Sequence, residues 1–155
     1  MKDAAFIAIV DDEEHVRVAL RRLCAACDFN PRTFSSAQQL FDSLDREHPD
    51  CLILDVQMPG FGGLDALAWM LERGINIPAI VITGRDDEEV RVRAAALGVC
   101  AYLCKPFDVE VLLGAIGDAL SAGRRAAQQE SVAARVSPAR GVSAPLESEW
   151  SASTR

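Results

Sequence analysis

The sequence predicts an α/β protein, a parallel sheet of five strands with helices on both faces. Three observations carry this reading. Short runs with almost no polar residue, such as "AAFIAIV" (4–10), "CLILD" (51–55) and "AIVITG" (79–84), suit strands buried on both faces. Longer stretches between them repeat apolar residues at helical spacing. The two kinds of segment alternate through the chain, so each strand is followed by a helix and neighbouring strands run parallel.

Each element has a local reason. The first run ends at Asp11-Asp12, and a helix follows in which Val16, Ala19, Leu20, Leu23 and Cys27 recur opposite a row of arginines. "NPRTF" (30–34) is a short, weak strand whose Pro31 suits an edge or a strand start. Ser36 with Gln39 reads as a capping box, opening a helix on Ala37, Leu40, Phe41 and Leu44. The run 51–55 leads into the loop "VQMPGFGG" (56–63), then a helix with Leu64, Leu67 and Leu71 on its apolar face, stopped by Gly74. After 79–84, Asp86 and Glu89 are read as capping a helix that Gly98 ends. "CAYLCKPF" (100–107) carries the last strand, and Asp108 caps a helix on Val109, Leu112, Leu113, Ile116 and Leu120. From about Arg124 the chain turns rich in Ala, Ser, Arg and Pro. The expected organisation is one domain over residues 1–123, then a helix extension and tail over 124–155, with disorder expected beyond Ser137.

Bulk properties narrow the function. The chain has 155 residues, half of them hydrophobic, enough for one domain with a real core. Residues 1–121 hold 11 Lys and Arg against 20 Asp and Glu, a net charge of −9, while 122–155 hold 5 against 3, a net of +2. An acidic folded part argues against nucleic-acid binding there and suits a basic partner or a cation. The five cysteines fit reduced core thiols better than disulfides. Cys24 and Cys27 make a C-x-x-C, but it falls inside a helical pattern and lacks a second pair. Asp3, Asp11 and Asp12 interrupt any signal-peptide pattern, and no apolar run approaches a membrane span. The expected location is the cytoplasm.

The polar residues fall at the strand ends. The first strand delivers Asp11 and Asp12, the third Asp55, the fourth Thr83, and the fifth Lys105 before Pro106. In a parallel sheet all converge on the carboxyl edge, where such folds bind ligands. Singly, each is an ordinary turn, strand or surface residue; four strands ending this way point to a site. Clustered carboxylates repel, so one protonates or a cation binds. All-oxygen ligands favour Mg²⁺. Lys105 suits a phosphoryl oxygen, Thr83 offers a hydroxyl donor, and Asp55 is the candidate nucleophile for an aspartyl-phosphate.

"VDDE" (10–13), "LILDVQMPGFGG" (52–63), "VITG" (81–84) and "YLCKPF" (102–107), in this order, resemble the bacterial response-regulator receiver domain over roughly Phe6 to Ser121. Gly84 after the threonine and the "KPF" ending are similar to receivers of the nitrogen-fixation regulator type. The resemblance implies a flavodoxin-like (βα)5 fold of strand order 2-1-3-4-5. It implies that Asp55 accepts phosphate from a phosphohistidine on a sensor histidine kinase or histidine phosphotransfer protein. Asp11 and Asp12 would hold Mg²⁺, Asp12 more directly, with Asp55 and the Gln57 backbone carbonyl completing the metal site. Thr83 and Lys105 would meet the phosphoryl group, and the Lys105–Pro106 bond would be cis. Tyr102 matches the aromatic switch position, rearranging with Thr83 to change the face made by the fourth helix, fifth strand and fifth helix. That face would meet a downstream protein target or a second copy of the chain. No turnover substrate is expected. The chain departs from the family pattern at Gly62, where an acidic residue or Asn is common, so that loop is expected to be more mobile. Gln57 and Arg85 occupy positions that tune the lifetime of the phosphoryl group in the family.

Other readings compete. Tyr102 also suits a half-buried strand aromatic. "PGFGG" lacks both a G-x-G-x-x-G pattern and a Walker lysine, so it reads as a turn. Asp86 to Glu89 suit the first turn of a helix without a metal. His15 and His48 read as surface residues, His15 lying near the acidic pair. Trp69 falls off its helix's apolar stripe and Trp150 lies in the tail, so either could contact a partner. Among functions, a dehalogenase-type phosphatase also uses a strand-end Asp, but its second Asp would stand at Gln57. A degenerate scaffold conflicts with the intact polar set. A longer DNA-binding regulator, with the tail as its linker, is the main alternative.

Overall fold

The computed structural model describes residues 3–136, with side chains to residue 129. Five strands, β1 (Phe6–Val10), β2 (Asn30–Phe34), β3 (Cys51–Asp55), β4 (Ala79–Thr83) and β5 (Ala101–Cys104), form one sheet in the order β2-β1-β3-β4-β5. Every pairing is parallel. Helices α1 (Glu14–Ala26), α2 (Ala37–Ser43), α3 (Gly63–Glu72), α4 (Glu88–Ala96) and α5 (Val109–Val136) alternate with them. This is the architecture and strand order expected. The chain resolves into a unit ending at Gly123 and another beginning at Arg124, of which the described residues 124–136 are helical. The tail beyond Ser137 and Trp150 lie outside the described residues.

Why the apolar runs become central strands follows from burial on both faces. All residues of β1, β3 and β4 are buried, and alternate side chains feed opposite layers. Ala8, Val10, Leu52 and Leu54 face Leu40 of α2 and Leu67 and Met70 of α3. Ile7, Ile9, Ile53, Ile80 and Ile82 face Leu20 and Cys24 of α1 and Leu112, Ile116 and Ala119 of α5. A smaller cluster of Leu64, Val81 and Ala94 lies under α4. The edge strand β2 carries Pro31, as anticipated, and the opposite edge β5 is only half-buried.

Several local expectations shift. Ser36 Oγ accepts from Gln39 N at 3.2 Å, but Gln39 Oε1 closes its box on Ser35 N at 2.8 Å, one residue earlier. The cap of α4 is Asp87, whose Oδ1 accepts from Glu89 N at 2.9 Å; Asp86 instead meets Arg91 Nη2 at 2.6 Å. In α3 the buried face is Leu64, Ala66, Leu67 and Met70, with Leu71 half-buried. In α1, Ala19 is exposed while Leu20 and Cys24 are buried. Gly74 and Gly98 follow α3 and α4 at φ of 75° and 77°, a backbone region that favours glycine. Trp69 stacks on Phe41, ring centroids 4.0 Å apart, with the Arg73 guanidinium 3.8 Å from its ring.

The five cysteines are free, but only Cys24 and Cys51 are core thiols; burial pushes them up to about 11 and about 12. Cys100, beside the edge strand β5, is exposed, and Cys27 and Cys104 are half-buried. No described helix is long and apolar enough to cross a membrane.

Glycine has a positional role where α3 meets the strand tip. A methyl at Gly63 would collide with the Asp55 carbonyl oxygen, and one at Gly62 would lie 2.7 Å from the Val56 carbonyl oxygen. Gly114, in α5, has open space around it. Gly63→Ala is therefore expected to lose roughly 1–3 kcal/mol in urea unfolding, and Gly114→Ala to gain about 0.5–1 kcal/mol. Equal behaviour of the two variants would contradict this packing.

Candidate functional site

The sheet register assembles the site. Val10 pairs with Leu54, Asp55 with Ile82 and Thr83 with Cys104, so the carboxyl ends of β1, β3, β4 and β5 lie side by side. Asp11, Asp12 and Asp55 offer ligand atoms that all lie within 4.8 Å of one another. Asp11 and Asp55 are buried, Asp12 exposed. Lys105 Nζ lies 3.4 Å from Asp11 Oδ2 and 3.9 Å from Asp55 Oδ2. Its peptide bond to Pro106 is cis, and its backbone N–H donates to the Thr83 carbonyl at 2.8 Å.

Local structure aims these groups. The Glu13 N–H donates to Asp11 Oδ1 at 2.9 Å, and the Gln57 N–H donates to Asp55 Oδ1 at 3.1 Å. Each buried carboxylate is thus oriented by the turn that follows its strand. Two participants were not picked out from the sequence. Glu13 Oε1 lies 3.7 Å from Lys105 Nζ, a third acidic neighbour, and Arg17 Nη1 donates to the Asp11 carbonyl at 2.7 Å. Glu13 had a signal, its place directly after the Asp pair; Arg17 had none beyond lying one helical turn on.

Not every candidate converges. Thr83 is at the strand end and buried, but its hydroxyl donates to the Arg85 carbonyl at 2.8 Å and accepts from Arg85 N at 3.1 Å. Tyr102 is engaged outside the Asp11–Asp12–Asp55 cluster: its hydroxyl lies 3.5 Å from Asp86 Oδ1 and 3.5 Å from Asp87 N, and the Arg91 guanidinium lies 5.0 Å from its ring. Gln57 is exposed and its Oε1 accepts from Gly84 N at 3.2 Å, linking the loops after β3 and β4. His15 is exposed, 3.8 Å from Glu13 Oε2.

Burial, then the charge of Asp11, pushes Asp55 up from 3.8 to about 7, against the opposing pull of the Gln57 N–H and Lys105. Two buried carboxylates share one ammonium, so a proton or a cation relieves the repulsion. The donors are all oxygen and lie within 4.8 Å of one another, a donor set whose chemistry suits a hard divalent ion such as Mg²⁺. What the arrangement can do chemically is bind a cation beside a carboxylate nucleophile and neutralise an incoming anion with Lys105.

A match to the response regulator receiver domain spans residues 7–117. The chain belongs to the response regulator receiver domain family. It is 41% identical over 134 residues to the response regulator protein TodT of Pseudomonas putida, covering 86% of this chain and 58% of that protein. With the DNA-binding transcriptional regulator NtrC of Klebsiella pneumoniae it shares 34% over 113 residues, 73% of this chain and 24% of that one. The chain thus spans less than two thirds of the length of these curated relatives. Among solved structures, FixJ-N superposes with a TM-score of 0.72 at 33% identity, covering 78% of this chain and 96% of that one. The response regulator StyR gives 0.76 at 30%, covering 87% and 69%.

The raised Asp55 has a measurable consequence. Its folded form holds a proton that the unfolded chain releases from about 3.8, so between there and about 7 the folded state binds more protons. Stability contributed by the neutral carboxyl is complete below that window and is lost as pH rises through about 7. In chelator, Asp55→Asn is expected to melt higher than the parent chain at pH 8, and the gap should close toward pH 4. A gap independent of pH would remove this account of Asp55.

Proposed function

We propose that this chain is a phosphoacceptor switch in two-component signalling or a phosphorelay, taking a phosphoryl group from a phosphohistidine onto Asp55. The observation that supports it most is the buried Asp55 carboxylate with Asp11, Asp12 and Lys105 around it. An Asp55 carboxylate oxygen would attack phosphorus as the P–N bond to the donor imidazole breaks, the electron pair leaving on nitrogen. Lys105, already 3.9 Å from Asp55, would neutralise the added oxygens. Mg²⁺, held by Asp11, Asp12, Asp55 and the Gln57 backbone carbonyl, would supply further neutralisation of phosphoryl charge. Thr83, released from the Arg85 carbonyl, would donate its hydroxyl to the phosphoryl group. Tyr102 would follow, changing the face of α4, β5 and α5 that meets a downstream protein or a second copy. The group is lost again by hydrolysis, so the chain turns over no separate substrate. Its place of action is the cytoplasm.

A second reading is favoured by the coverage of the relatives: the chain is the receiver of a longer DNA-binding regulator, to which residues beyond 123 lead. TodT and NtrC are both longer than the part this chain matches, and NtrC is described as DNA-binding. In either case the receiver itself does not touch nucleic acid.

Incubation with acetyl phosphate or a phosphorylated histidine kinase and Mg²⁺ should add one phosphoryl mass, labile to base and to hydroxylamine. Asp55→Asn should abolish it and chelator should suppress it. Phosphate found on a serine or threonine would sink the proposal. Gln57→Ala, which removes the link to Gly84, and Arg85→Ala are each expected to alter the decay of the phosphoryl group; decay curves that superpose on the parent's would count against a tuning role.

A further inference from the structure

Helix α4 is held differently from the other helices of the unit. It buries one side chain, Ala94, whereas α3 buries Leu64, Ala66, Leu67 and Met70, and α1 buries Leu20 and Cys24. Val90 and Leu97 are only partly covered, and Val92 is 62% exposed. With so little apolar area removed from water, hydrophobic burial fastens α4 weakly. A groove of about 310 Å³ lies beside it, lined by Val56, Gly62, Leu64 and Val90 and by the charged side chains Asp65, Glu89 and Arg93. Across this groove Arg93 Nη2 donates to Asp65 Oδ1 at 2.9 Å. The pair joins residues 28 apart in sequence and ties α4 to α3.

The other end of that tie reaches the site. Asp65 stands two residues after Gly63, the first residue of α3, and Gly63 packs so closely on the Asp55 carbonyl that no methyl fits between them. The Gly63 N–H also donates to the Val56 carbonyl at 3.4 Å. A short run of contacts therefore leads from the peptide of Asp55 through the start of α3 to Asp65, and from Asp65 to Arg93.

We propose that the Asp65–Arg93 ion pair is the clasp that holds α4 against α3 and sets how readily α4 rearranges when Asp55 changes state. The second half of this statement rests on the phosphoacceptor reading above; the first half does not. Both partners are about half exposed, so the pair is modest in strength; it acts on α4 beside the Arg91 contacts to Asp86 and Tyr102, where apolar burial contributes little. Asp65 and Arg93 are positioning residues: neither touches Asp55.

The test measures amide hydrogen exchange of α4 in the unphosphorylated full chain. Asp65→Asn and Arg93→Gln should each speed exchange of the α4 amides roughly two- to fivefold, leaving the amides of β1 and β3 unchanged. The double variant should exchange no faster than either single one, because both remove the same interaction. Unchanged α4 exchange, or additive effects in the double variant, would overturn the clasp. The coupling is read by acetyl phosphate labelling: both variants should be labelled at a rate different from the parent, with Asp55→Asn as the blank. Altered exchange with an unaltered labelling rate would overturn the coupling and keep the clasp. Absence of labelling in the parent chain would defeat the phosphoacceptor reading, and with it the coupling, while the exchange result would stand.

Discussion

Two carboxylates buried side by side, with one ammonium between them, form the interaction on which the rest of the site depends. Removing a charge from water is costly unless it is paired and hydrogen-bonded. Asp11 and Asp55 are both buried, and Lys105 reaches both from the end of β5. Burial first, and then the charge of Asp11, outweigh the pull of the Gln57 N–H and Lys105, so Asp55 is driven up to about 7. A pocket in that condition favours a cation and then an anion that the cation and Lys105 can share. The parallel sheet makes it possible, because parallel strands bring the carboxyl ends of four separate segments to one edge.

The surrounding structure absorbs the cost. All of β1, β3 and β4 is buried, so the tips carrying the carboxylates rest on rigid elements packed on both faces. Backbone N–H groups of the turns after β1 and β3 donate to the two buried carboxylates and orient them. Strand rigidity thus fixes the position of the oxygens, and turn geometry fixes their direction. By contrast, the layer beyond β4 is thin: the cluster under α4 has three buried residues, and polar contacts take over what apolar packing does elsewhere. The carboxylates thus sit on the most fully buried part of the sheet, and α4 is the helix that apolar packing holds least.

Besides the route through Gly63, Asp65 and Arg93, the loop after β4 connects the site with α4 and β5. Thr83 is turned toward Arg85, and Tyr102 is turned toward Asp86 and Asp87 of the same loop. Both side chains are engaged by one short segment, so movement of that segment changes the partners of both. Gln57 reaches the loop from the other side of the site through Gly84.

The sequence by itself determined the sheet, its parallel sense and the carboxyl-edge location of Asp11, Asp12, Asp55, Thr83 and Lys105. Continuous apolar runs and helical periodicity are local signals, and strand ends are legible wherever a polar residue stops such a run. The motifs supplied the strand order through resemblance. Tertiary structure decided what depends on contacts across the chain. Glu13 joins Lys105, Asp86 yields the cap to Asp87 and pairs with Arg91, Trp69 finds Phe41, and Arg93 crosses to Asp65. Hydroxyls were least legible: Thr83 and Tyr102 occupy the expected positions, yet their directions follow from partners two and about sixteen residues away. A side chain's place in an element is encoded by its neighbours in sequence, whereas its direction is set by whichever distant group completes its hydrogen bonds.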